Sequence, residues 1–239
     1  MTKGYGNGTR ADEAYRRLRA EIFTGRLEPG QRLKFPELCA QMGISVGVLR
    51  EALVRLVGER LVALQAHQGY AVASLSSDEL TDLTTARVEF ETHAFGLSMS
   101  KGADSWESEV VAAHHLLTLR ERDVLDGGVR GDGWFAAHEA FHGALVAGCG
   151  SRRIIAITSQ LRAETELYRR WAAPLLYEFD RDPAAEHQAL VDAALARDID
   201  KGIAVLRNHI AFTTQMLLCH LDSAALTADS KTLKQVPAR

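Results

Sequence analysis

A chain of 239 residues, 46% hydrophobic, 25% charged and 7% aromatic, has the make-up of an ordinary globular protein with one large domain or two modest ones. No run approaches the roughly 20 apolar residues that span a bilayer, and the polar, Gly-rich stretch 1–10 lacks the apolar core of a signal peptide. The net charge of −3 is unevenly spread: residues 1–75 hold eleven Lys and Arg against seven Asp and Glu, a balance of +4 that leaves −7 on the remainder.

A basic head on an acidic body suits a head that meets a polyanion. The three cysteines, Cys39, Cys149 and Cys219, are scattered and form no Cys-x-x-Cys pair. They are expected to be buried, reduced thiols of a cytoplasmic protein without membrane attachment.

Ala14, Leu18, Ile22 and Phe23 recur at helical spacing, predicting an amphipathic helix over 11–24. Gly25 stops it, and Glu28-Pro29-Gly30 forms a turn. Two shorter helices follow over 35–42 and 45–59, the second opening at Ser45 as N-cap, with the corner Gly43-Ile44 between them. Two β-prone runs, 61–64 and 70–73, read as a hairpin joined through residues 66–69.

Beyond a joint at 74–77 the pattern is helical throughout, with helices expected near 77–100, 105–123, 132–148, 151–172, 183–196 and 199–222. Asp182-Pro183 is a start signal with an Asp cap and Pro in the first turn. The fold class is therefore mainly α: a winged helix-turn-helix over 1–75, an all-α antiparallel bundle over 76–222, and a flexible tail over 223–239.

In the head, Gly43 permits the sharp turn, and Ile44, Leu49, Leu53 and Leu56 are spaced to bury one helix face. Ser45, Val46, Gly47 and Arg50 are left at the exposed start of the second helix, where major-groove contacts are made. The uninterrupted run from Ile22 through Glu28-Pro29-Gly30-Gln31-Arg32-Leu33 to Leu49-Arg50-Glu51-Ala52-Leu53-Val54-Arg55-Leu56 resembles the GntR family of bacterial regulators, as does Gly69-Tyr70-Ala71-Val72. The resemblance covers about residues 10–75. It implies DNA contacts by Arg32, Arg50 and Arg55, with Gly69 at the wing tip. One departure stands out: the family usually carries Arg directly after the Ser that opens the recognition helix, and here Val46 and Gly47 follow Ser45.

In the body, His138 and His142 are one helical turn apart and share a face, while His187 and His209 lie on two further predicted helices. Any one of them alone would be read as a hydrogen-bonded core histidine. Four on three helices suggest a transition-metal site in a bundle core, zinc first and nickel as the second choice. The same residues spell His138-Glu139-x-x-His142, the zinc-hydrolase signature, with Glu139 as base and Glu164 or Glu166 as third ligand. That alternative conflicts with a DNA-reading head, and with four histidines that would close a sphere a hydrolase keeps open to water.

Arg87-Val88-Glu89-Phe90-Glu91, Phe141-His142-x-x-Leu145, Glu186-His187 and His209-Ile210 make residues 77–222 resemble the helical FCD ligand domain of the family's FadR-type branch. That resemblance implies a non-enzymatic homodimer on a palindromic operator, responding to a small carboxylate. Metal-binding relatives use one Asp and three His, and the Asp position falls on His138. Arg87 is the candidate anchor for the effector carboxylate, or else a simple helix partner of Glu91.

Overall fold

The computed structural model describes residues 9–65, 68–125, 130–172 and 182–233. Among them it contains nine helices and one β-hairpin, divided between two compact units. The first unit comprises Met1–Ser76 together with Glu166–Trp171; the second comprises Ser77–Thr165 and Ala172–Arg239.

In the first unit α1 (Arg10–Phe23) opens with a reciprocal cap. The Thr9 hydroxyl accepts the Asp12 N–H at 3.1 Å and the Asp12 carboxylate accepts the Thr9 N–H at 2.8 Å, so two otherwise orphaned donors are satisfied. Helix α2 (Phe35–Met42) has Pro36 in its first turn and ends at Gly43, whose φ of +64° is the left-handed conformation that closes the corner without strain. Helix α3 (Val46–Gly58) is capped by Ser45. Leu18 and Ile22 of α1 meet Leu49, Leu53 and Leu56 of α3 in a fully buried core, which Leu167 also joins.

Strands β1 (Val62–Gln65) and β2 (Gly69–Val72) pair antiparallel, Val62 opposite Val72 and Gln65 opposite Gly69. The segment before α2 adds an edge: the Leu33 N–H donates to Tyr70 O at 2.8 Å and the Val72 N–H to Gln31 O at 2.9 Å. Of the predicted hairpin connection, Ala66 and His67 lie outside the described residues.

The second unit is entirely helical among its described residues, with α4 (Ser77–Lys101), α5 (Asp104–Leu125), α6 (Asp132–Ala147), the larger part of α7 (Arg152–Ala172), α8 (Pro183–Ala196) and α9 (Ile199–Leu233). Helix α4 packs on α9 and α6, α5 on α6 and α8, and α8 on α9. Phe95, Met99, Val110, Leu117, Phe141, Leu145, Leu190, Leu206 and Ile210 fill the core. Asp182 caps α8 as its sequence predicts, its Oδ1 accepting the Ala185 N–H at 3.0 Å. The end of α8 is less expected, because Arg197 takes the left-handed conformation at φ +54°. Its guanidinium holds it there, donating to Glu107 and to Met99 O, each at 2.8 Å.

Two expectations need correction. Helix α9 continues to Leu233, well past the predicted end at 222 and into the span expected to be a flexible tail. Ala224, Ala225, Leu226 and Ala228 are strong helix formers and no Pro interrupts before Pro237, so nothing local stops the helix; residues 234–239 lie outside the described residues. Of the cysteines only Cys149 is buried, while Cys39 is partly buried and Cys219 exposed. Both sit on helix flanks set by their larger apolar neighbours. No helix among the described residues is long and apolar enough to cross a membrane.

Candidate functional site

The start of α3 presents Ser45, Val46, Gly47 and Arg50 to the outside, while Leu49, Ala52 and Leu53 point into the core. This division follows from helical geometry once the leucines are buried. The other two predicted arginines are engaged within their own unit. Arg32 donates from Nε and Nη2 to Gln68 O at 3.0 and 2.7 Å, so it braces the wing. Arg55 pairs with Asp12 at 2.5 Å and lies over the Tyr15 ring at 4.0 Å. The Asp12 carboxyl is held below its ordinary range by the Thr9 backbone N–H and then by Arg55. Tyr15 donates to Glu59, and burial together with that carboxylate raises its phenol. Gly69 stands at the start of β2 with φ +83°, a conformation a side chain would strain.

In the second unit the four predicted histidines converge. His138 and His142 come from α6, His187 from α8 and His209 from α9; all are buried, with 1–6% of their surface exposed. One potential ligand atom from each lies within 4.8 Å of the others. Carboxylates stand behind two of them. Glu186 Oε2 is 2.7 Å from His209 Nδ1, and Glu121 Oε1 is 3.3 Å from His187 Nδ1. Nε2 of His187 is buried with no hydrogen-bond partner among the described residues. A buried imidazole nitrogen left open, beside three further imidazoles and with carboxylates on the far side of two rings, is the arrangement a nitrogen-ligated metal ion requires. The residues present fit such an ion. The Trp134 ring stacks on His138 at 4.8 Å, and an open groove of about 590 Å³ between α8 and α9 reaches His209 and Glu186. Nearby His114 packs its ring 5.4 Å from Phe141, and burial lowers its pKa.

Glu139 does not join this cluster. Its carboxylate accepts from Arg162 Nε at 3.0 and 3.2 Å, so the residue that a hydrolase would use as base is instead the partner of a guanidinium. Glu164 accepts from Gln160 and Glu166 pairs with Arg170, so neither serves as the third ligand that the hydrolase reading required. Arg162 itself is the residue that sequence reasoning missed. It is 2% exposed, reaches Glu91 Oε2 at 3.7 Å, and its Nη1 has no hydrogen-bond acceptor among the described residues. A Cβ on Gly143 would sit 3.9 Å from its Nη2, so Arg162 meets α6 at the residues that directly follow His138 and His142. Arg87 is equally buried and bonded to Glu91 at 2.7 Å. Thr158, Arg162 and Thr165 form a buried polar stripe along α7, and that helical spacing was the only available signal.

A winged helix-turn-helix is a DNA-reading fold, and here one chain joins it to a helical unit with a buried polar interior. Residues 10–72 match the model for bacterial regulatory proteins of the gntR family, and residues 82–212 match the FCD domain. The HTH-type transcriptional repressor GlaR of Escherichia coli (strain K12) is 37% identical over 202 residues, covering 83% of this chain and 91% of the relative. The uncharacterized HTH-type transcriptional regulator BphR of Paraburkholderia xenovorans (strain LB400) is 38% identical over 200 residues, covering 83% of this chain and 81% of the relative. The crystal structure of a GntR transcriptional regulator from Rhodococcus sp. RHA1 superposes with a TM-score of 0.69 at 25% identity, covering 88% of this chain and 98% of that one. E. coli McbR/YncC shares the fold, with a TM-score of 0.67 at 19% identity, covering 90% and 100%. The chain belongs to the GntR family of transcriptional regulators, with an FCD ligand-binding domain. These relatives are transcription regulators and not enzymes, which closes the hydrolase alternative.

Proposed function

We propose that this regulator senses a small carboxylate at a metal centre and passes the result to a DNA-reading head. The observation that carries the reading is the cluster of four buried imidazoles backed by Glu186 and Glu121. His138, His142, His187 and His209 hold a divalent transition metal ion, zinc before nickel because the ligand set is all nitrogen. When bound, the ion supplies a positive centre for an anionic ligand, and four neutral ligands leave its charge undiminished. Glu186 orients the ring of His209 through its Nδ1, and Glu121 places a negative charge beside His187.

Arg162 supplies the second attraction for an anion, through the Nη1 that lacks a hydrogen-bond acceptor among the described residues. Arg87 shares Glu91 with it and sets the position of that carboxylate. Two copies of the chain bind a palindromic operator in the cytoplasm, the symmetry of the dimer matching that of the DNA. Ser45, Val46, Gly47 and Arg50 face base edges, while Arg32, Arg55 and Gly69 support the wing and backbone contacts. Effector binding favours one arrangement of the sensor helices and so changes operator affinity.

The test is metal analysis of the purified protein followed by a thermal-shift screen of small carboxylates, with His187→Ala as control. Bound metal and carboxylate stabilisation that disappears in His187→Ala are expected. Stabilisation that persists without metal would refute the effector mechanism. Unfolding on chelation, with no carboxylate affecting DNA affinity, would instead make the metal purely structural.

A further inference from the structure

The outward face of α3 carries valine on either side of its arginine. Val46 in the first turn is 49% exposed and Val54 two turns later is 56% exposed, with exposed Arg50 between them at i+4 spacing. Val46 occupies the N-terminal part of the recognition helix, the part that reaches base edges in a helix-turn-helix. An isopropyl group offers no hydrogen bond there. The one feature of the major groove that it complements is the 5-methyl group of thymine. Gly47, next to it, leaves the way open: a Cβ at that position would meet only the Ser45 Oγ, at 3.9 Å, so the backbone can come close to the DNA. Arg50 lies on the same face, about 6 Å further along at about 1.5 Å per residue, or about two base-pair steps, with a guanidinium suited to guanine O6 and N7.

We propose that Val46 is a specificity-determining residue that reads the methyl group of a thymine in each operator half-site, with Arg50 on a guanine within about two base pairs of it. The proposal rests on the DNA-binding reading above, and the experiment separates the two.

Full-length protein selects duplexes from a randomised library, and each thymine of the winning sequence is then replaced singly by deoxyuridine, which differs only by the methyl group. At fixed salt, one thymine per half-site is expected to lose about fourfold in affinity, the worth of one buried methyl-sized group. Val46→Ala, which removes the contact in both half-sites, should bind the thymine duplex about 16-fold more weakly and show no further loss with deoxyuridine at that position, whereas Val54→Ala keeps the full deoxyuridine penalty. Both valines are exposed, so thermal melts of the variants should match wild type. Insensitivity of the wild type to every deoxyuridine overturns the proposal. So does a penalty that survives in Val46→Ala, a penalty that vanishes in Val54→Ala instead, or complete loss of binding in folded Val46→Ala. If no duplex is retained even at low salt, the DNA-binding reading itself falls and this one with it.

Discussion

Glu91 serves two guanidiniums, Arg87 at 2.7 Å and Arg162 at 3.7 Å, and all three side chains are buried. Glu91→Gln would leave two cations sharing a buried space without their common counter-charge, and is expected to destabilise the second unit by about 3–5 kcal/mol. Glu139→Gln removes a carboxylate that is 43% exposed and should cost less than about 1 kcal/mol. Urea unfolding of the two variants gives the comparison. Behind the imidazoles, Glu186→Gln should lower metal affinity by about 10- to 100-fold, read by competition with a chromophoric chelator.

Asp12 gives a pH signature. Its folded-state pKa lies below the ordinary 3.8, so its contribution is present above that value and fades as the pH falls through the depressed one. Wild type and Asp12→Asn should therefore differ in urea midpoint at neutral pH and converge in acid. The pairing of His138 with His142 could be read from four-residue spacing alone. Arg162 could not, because its burial depends on Glu91, 71 positions away in the chain.

Among the elements, α2 and α3 were legible because each signal is local: Gly43 at the corner, Ser45 at the next cap, and leucines at helical spacing. The end of α9 was not legible, since a polar, small-residue sequence reads alike as loose tail or solvated helix. The end of α8 at Ala196 matches the expected bound, and there a left-handed Arg197, where Gly is usual, is held by its anchor to Glu107 and Met99 O. Two glycines report different forces. Gly43→Ala meets open space but must adopt φ +64°, and should cost about 1 kcal/mol. Gly202→Ala in α9 places a Cβ 2.7 Å from Met99 Cε and 3.0 Å from Phe95 Cε1 of α4, so overpacking of about 1–3 kcal/mol is expected. Thermal melts should show the second loss in the helical unit and the first in the head.

For the whole molecule, the charge asymmetry was visible in the sequence and the sign of the partner followed from it. The polar interior of the helical unit was not, because burial of Thr158, Arg162 and Thr165 is a property of the packed bundle. A head with a net charge of +4 should lose operator affinity steeply and log-linearly as salt rises, measured by fluorescence anisotropy in a salt titration. The Arg32 brace on Gln68 O affects the course of that encounter. With Gln68 already tied to Arg32 while the protein is alone, that end of the hairpin needs no ordering step when DNA arrives, so its docking should run at the rate of collision and alignment. Weakening the brace would show first as slower capture, with the residence time on DNA less affected.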